Sequence, residues 1–163
     1  GIERWLSWLE EEANKWTPKT VKEGRALRES FELMRRSIRG VANDEAKVKP
    51  LLTLIAEDLQ DKAEYCRAEG LASERQIQVV TKREGITEVK GLEVFYLPKF
   101  LEADVTAKPQ RFEGFSSPVK GSLTAGRYWI WAKESGVGGR NGERRDSRVN
   151  QAVPLGPIEV LAP

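Results

Sequence analysis

Two tryptophans one residue apart, Trp129 and Trp131, carry the first candidate chemistry in this chain. They lie in RYWIWAK, where strand alternation puts both on one face, about 7 Å apart. Sugar rings stack on aromatic pairs of this kind, so Trp129 and Trp131, with Tyr128 beside them, form a candidate glycan-binding platform. The competing expectation is structural: the pair belongs to a core or to a seam against a helix, where large rings are commonly spent. Downstream, Arg140, Arg144, Arg145 and Arg148 sit in the glycine-rich run KESGVGGRNGERRDSR. Guanidinium forks hold phosphate or carboxylate groups bidentately, and glycines let backbone amides approach an anion. The run lacks the Lys-Ser/Thr of a phosphate-binding P-loop, so a solvated, mobile hairpin tip is the expectation. Two acidic groups, Glu10-Glu11-Glu12 and Glu57-Asp58 with Asp61, could supply a hydrolytic pair or a calcium site. Helical carboxylates are expected on a solvated face, and no loop has EF-hand spacing.

Nucleophiles find no base to activate them. The chain contains no histidine, which removes the commonest general base and metal ligand. Ser116, Ser117 and Ser122 are therefore left without an activator. The single cysteine, Cys66, forms no internal disulfide and follows an apolar helix face, as an inert core residue would. These residues point to no catalytic, cofactor or metal site.

The elements that must position these residues fall into two kinds. Ile2, Leu6, Leu9, Ala13 and Trp16 step 4, 3, 4, 3 and predict a first helix. Thr17-Pro18 is expected to stop it and open a second helix that runs to Arg39, with Gly40 as its stop. The inner face of that second helix would be Gly24, Leu27, Phe31, Met34 and Ile38. A third helix is expected from Pro50 to the residue before Gly70, with Val48, Leu52, Ile55, Leu59 and Cys66 on one face. Near Gln76 the periodicity shortens to IQVV, LEVFYL, RYWIWA and IEVLA, separated by glycines and prolines. The predicted class is α+β: an N-terminal helical hairpin with one further helix over 1–75, then an antiparallel β-sandwich over 76–163. The tryptophans of the first helix, Trp5, Trp8 and Trp16, make that helix the expected partner of a sheet face.

Composition bounds the function. The chain has 163 residues, 32% of them charged and 39% hydrophobic, which is a globular balance. Up to Arg75 there are 14 basic and 15 acidic residues, and after it 13 and 10. Neither part has the basic field of a nucleic-acid partner. No run is long and apolar enough for membrane insertion, and the acidic polar face of the first helix opposes anionic lipid. Met34 is the only methionine, so a segment removed upstream is expected, most simply an export signal. The expected location is therefore outside the cytoplasm, periplasmic or secreted, with a cytoplasmic location as the alternative.

The order VFYLP, SSP, LTAGRYWIWA and a closing IEV resembles the small sandwiches of the transthyretin-like group, including carboxypeptidase-regulatory and PEGA-type domains. Those families carry a small–Gly–x–Tyr turn into a central strand, matched here by Ala125, Gly126, Arg127 and Tyr128. The resemblance covers about residues 76 to 162 and does not extend to the helices. It implies a structural or binding module on an exported protein. The expectation is thus a non-catalytic interaction or assembly module with a protein partner. A carbohydrate-binding module and an enzyme of unknown class are the alternatives.

Overall fold

The computed structural model describes residues 1–69, 74–150 and 156–163, and the side chains of 65–69 lie outside that description. Three helices come first: α1 (Ile2–Asn14), α2 (Val21–Val41) and α3 (Glu45–Glu69). Among the described residues eight strands follow: β1 (Glu74–Arg83), β2 (Thr87–Glu88), β3 (Glu93–Pro98), β4 (Gln110–Arg111), β5 (Val119–Thr124), β6 (Gly126–Lys133), β7 (Arg145–Val149) and β8 (Ile158–Leu161). The chain is α+β, with its helices ahead of two sheets.

The helix boundaries correct the expected ones. Thr20, not Thr17, caps α2: its side chain accepts from the Glu23 N–H at 3.1 Å, and Glu23 reaches back to the Lys19 N–H at 2.9 Å. Thr20 thus satisfies an amide that the first turn leaves unpaired, and Glu23 fixes the residue before the cap. Gly40 lies inside α2 and does not end it. Pro50 sits six residues into α3, where its missing N–H removes one helical bond. On α3 the buried apolar positions are Val48, Leu51, Ile55 and Leu59, while Leu52 is only half-buried. The expectation for Cys66 lies outside the described side chains.

In the first sheet, β1 pairs antiparallel with β5 from Glu74↔Thr124 to Val79↔Val119 and with β2 at Lys82↔Glu88. It also pairs parallel with β8, from Val79↔Ile158 to Lys82↔Leu161. The second sheet has the order β4-β3-β6-β7, antiparallel throughout. The two sheets face each other across one core. Ile77, Val79, Val119 and Leu123 of the first meet Val94, Tyr128, Ile130 and Val149 of the second.

The helices cover the other face of the second sheet. A separate core joins Leu27, Phe31, Met34 and Ile38 of α2, and Leu51, Ile55 and Leu59 of α3, to Leu97, Phe100, Leu101 and Trp131. Strand β6 is therefore central and covered on both sides. From Tyr128 on, Tyr128, Ile130 and Ala132 enter the sandwich core while Trp129 and Trp131 face the helices, as alternation requires. This explains why aromatic residues occupy both faces of RYWIWAK. The helix lying on β6 is α3, whereas α1 packs against α2. The expected role of α1 as the helix on the sheet is thus taken by α3. No helix among the described residues is long and apolar enough to cross a membrane.

Candidate functional site

Charged side chains on α3 enter the protein instead of facing water. Asp58, Asp61 and Lys62 retain 1%, 0% and 2% of their exposure. The reason lies in the helical stripe. Leu51, Ile55, Asp58 and Lys62 step 4, 3, 4, so the apolar face of α3 continues directly into a charged pair. Asp58 and Lys62 stand one turn apart and form an ion pair. The expected solvated face of Glu57, Asp58 and Asp61 is corrected accordingly.

These groups close on the turn between β5 and β6. Lys62 Nζ donates to the carbonyl of Ala125 at 2.8 Å, and Asp58 Oδ2 accepts the backbone N–H of Arg127 at 3.1 Å. Gly126 lies between these contacts. A Cβ there would come within 2.5 Å of Asp58 Oδ2 and 3.0 Å of Lys62 Nζ, so only glycine lets the carboxylate sit against the strand. The side chain of Arg127 continues the contact, donating to Asp61 at 2.7 Å and to Glu57 at 3.1 Å. Tyr128 turns the other way, and its hydroxyl donates to Thr124 O at 2.7 Å. Each residue of the Ala125–Tyr128 turn thus has a defined contact.

A second layer comes from β7. Arg148 Nε donates to Asp61 at 2.5 Å and its terminal nitrogen to Glu64 at 2.9 Å. The Asn150 amide adds a bond to Asp61 at 2.9 Å. Asp61 therefore accepts from three donors, enough to satisfy a carboxylate removed from water. Burial raises the carboxyl pKa of Asp58 above its ordinary value, with Lys62 opposing the shift. Burial also raises the hydroxyl pKa of Tyr128, and the Asp58 charge adds to it. Among the described residues no group of histidine, cysteine or carboxylate side chains is arranged to hold a metal ion.

Beside this cluster a cleft of about 580 Å³ opens between α2 and the sandwich. Asp58, Lys62 and Tyr128 line it, together with Ser122–Thr124 of β5 and Ala26, Glu29, Ser30, Leu33 and Arg36 of α2.

The residues singled out from the sequence do not converge. Trp131 is 3% exposed, stacks on Phe95 at 6.0 Å between ring centroids, and carries the Arg144 guanidinium 4.2 Å above its ring. Its indole N–H donates to Asn141 at 3.2 Å. Trp129 is half-buried, donates to Glu102 at 2.7 Å, and has Lys99 Nζ 4.8 Å from its ring centre. Tyr128 lies on the opposite face, in the sandwich core. The three rings share no open platform.

The four arginines also go to four places. Arg140 pairs with Glu134 at 2.9 Å, Arg144 covers Trp131, Arg145 donates to Glu159 O at 3.1 Å, and Arg148 binds Asp61 and Glu64. The expected long loop is shorter, because residues 145–148 belong to β7. Its tip is tied by Glu134 N–H to Arg140 O at 2.9 Å and Gly142 N–H to Ala132 O at 2.7 Å. No common anion pocket results from these positions.

The residues that do meet are Asp58, Asp61 and Lys62 of α3 and Arg127 of β6; the sequence shows Asp58 and Asp61 as an acidic group and Arg127 as part of the turn, but not that they come together. The signal was an Asp–Lys pair at i, i+4 occupying core positions of α3. Compared with known family models, curated proteins and solved structures, the chain matches none.

Proposed function

We propose that this chain is a non-catalytic interaction or assembly module: a transthyretin-like sandwich braced by a helical layer, carried on an exported protein. The observation that supports this most is the engagement of the charged groups at the junction of α3 and β6. Asp61 is held by Arg127, Arg148 and Asn150, and Asp58 by Lys62 and the Arg127 amide. Carboxylates committed to fixed cations are suited to holding layers in register and poorly suited to exchanging protons with a substrate. The cleft beside them joins both layers, which suits a surface that a partner reads only when the layers are assembled. Placement on an exported protein rests on the resemblance of residues 76–162 to transthyretin-like sandwiches. The carbohydrate alternative gains no support from Trp129 and Trp131, whose rings are taken up by packing, Arg144 and Lys99.

Site-specific photo-crosslinking tests the proposal. A photoreactive amino acid is placed in turn at exposed positions over the whole surface, and the protein is exposed to the extracytoplasmic fraction of its source. A discrete protein adduct confined to one contiguous patch is the expected result. Adducts to no protein at any position would overturn the reading.

A further inference from the structure

We propose that Asn141–Gly142 is a self-modification site: the closed fold keeps it inert, and opening of the turn that joins β6 to β7 commits it to aspartate and isoaspartate. The inference is independent of the interaction-module reading, and water is the co-reactant. Asparagine before glycine is the pair most prone to this reaction, because glycine has no side chain to hinder its amide nitrogen. In the step, the Gly142 N–H gives its proton to water or hydroxide, and the nitrogen attacks Cγ of Asn141. A C–N bond forms, the bond from Cγ to the side-chain nitrogen breaks, and that nitrogen takes a proton from water and leaves as ammonia. Water then opens the five-membered imide. Attack at the side-chain carbonyl gives aspartate. Attack at the main-chain carbonyl gives isoaspartate, whose backbone runs through the former side chain and is longer by a methylene.

The closed structure blocks the step at both reacting groups. The Gly142 N–H donates to Ala132 O at 2.7 Å, so the electron pair left on deprotonation points at that carbonyl and away from Cγ. Asn141 Oδ1 accepts the Trp131 indole N–H at 3.2 Å, which ties the side-chain amide to β6. A backbone bridge from Lys133 to Asn141 and the clasp of Arg140 on the Glu134 carboxylate close the turn around the pair. Gly142 is also wedged against the end of the chain. A Cβ there would collide with Leu161 O and lie 3.2 Å from Ala132 O. The close packing that protects the site therefore also demands the residue that makes it reactive. The two products differ in consequence. Aspartate keeps the original backbone and an oxygen for the Trp131 N–H. Isoaspartate adds a methylene ahead of the Gly142 nitrogen, and the slot between Ala132 O and Leu161 O has no slack for it. A turn that has opened and isomerised does not reclose.

Peptide mapping by mass spectrometry, with aspartate and isoaspartate separated, measures the reaction in the folded protein, in the urea-unfolded protein and in a synthetic peptide of residues 138–144. The unfolded protein should react as the peptide does, and the folded protein at least about tenfold more slowly. Hydrogen exchange of the Gly142 amide gives the open fraction independently, and the two slowdowns should agree within about threefold. Glu134→Ala, which removes the exposed clasp, should speed both processes by the same factor, about threefold, with the circular dichroism spectrum retained. In the purified isoaspartate form the Gly142 amide should exchange at the unfolded rate, whereas Asn141→Asp should keep the native protection. Reaction of the folded protein at the peptide rate overturns the inference, as does a folded rate faster than the measured opening allows. A deamidation rate that fails to rise in Glu134→Ala also overturns it. Native protection of Gly142 in the isoaspartate form would contradict the claim that the turn does not reclose.

Discussion

The carboxylate of Asp58 occupies the space that a side chain on Gly126 would need. A Cβ added at Gly126 would lie 2.5 Å from Asp58 Oδ2, so helix α3 and the β5–β6 turn meet without a side chain between them. Gly126→Ala should therefore separate the Asp58–Lys62 pair from its backbone partners. The cost combines overpacking of about 1–3 kcal/mol with unsatisfied buried groups of about 1–3 kcal/mol. Urea unfolding measures it, and a change below roughly 0.5 kcal/mol would mean that the contact yields freely.

Lys62→Met tests the buried pair through its pH dependence. With the ammonium removed, Asp58 keeps the burial that already raises its pKa and loses the cation that opposes the shift. A folded pKa above the unfolded value means stability that is full below the ordinary carboxylate range, around pH 4, and lost as pH rises through the folded value. The variant should be about 3–5 kcal/mol less stable than the parent near pH 7.5. It should recover as pH falls toward about 4. Adding Asp58→Asn should flatten that pH dependence, because the isosteric amide does not ionise. Chemical denaturation from pH 4 to 8 gives the comparison.

The two tryptophans of β6 should behave differently. Trp131 is 3% exposed in the helix-facing core, and Trp131→Ala should cost about 3–5 kcal/mol. Trp129→Phe keeps a ring under Lys99 and loses one exposed hydrogen bond to Glu102, so its cost should stay near 1 kcal/mol or below. Equal and small effects on melting temperature would contradict the packing described for β6.

Much of this architecture is legible in local patterns. The steps of 3 and 4 in α2 pick out Leu27, Phe31, Met34 and Ile38, and all four are buried. Alternation in RYWIWAK separates Tyr128 and Ile130 from Trp129 and Trp131, and each pair enters a different core. The helix starts are less legible because two threonines compete. Thr20 wins over Thr17 because its side chain takes the Glu23 amide three residues later, while the Glu23 carboxylate returns to the Lys19 amide just before the cap. The charged cluster is the least legible feature. Its members lie far apart in sequence: Asp58 and Arg127 are 69 positions apart and Asp61 and Arg148 are 87. Local periodicity shows that Asp58 and Lys62 fall on a core face, but not which cations and backbone groups meet them there. The arginines separate because neighbours on a strand point to alternate sides: Arg145 goes to Glu159 O, away from the helix-facing side on which Arg144 covers Trp131 and Arg148 meets Asp61.

The central claim is that Asp58, Asp61 and Lys62 tie α3 to β6, so that the helical layer and the sandwich open together. Native-state hydrogen exchange followed by mass spectrometry, over a range of urea below the unfolding transition, measures this most directly. Amides of α3 near Asp58 and amides of β6 near Ile130 should open with the same free energy and the same urea dependence, as members of one cooperative unit do. Exchange of α3 at a much lower free energy, while β6 stays protected, would show that the helices detach on their own and would contradict the account.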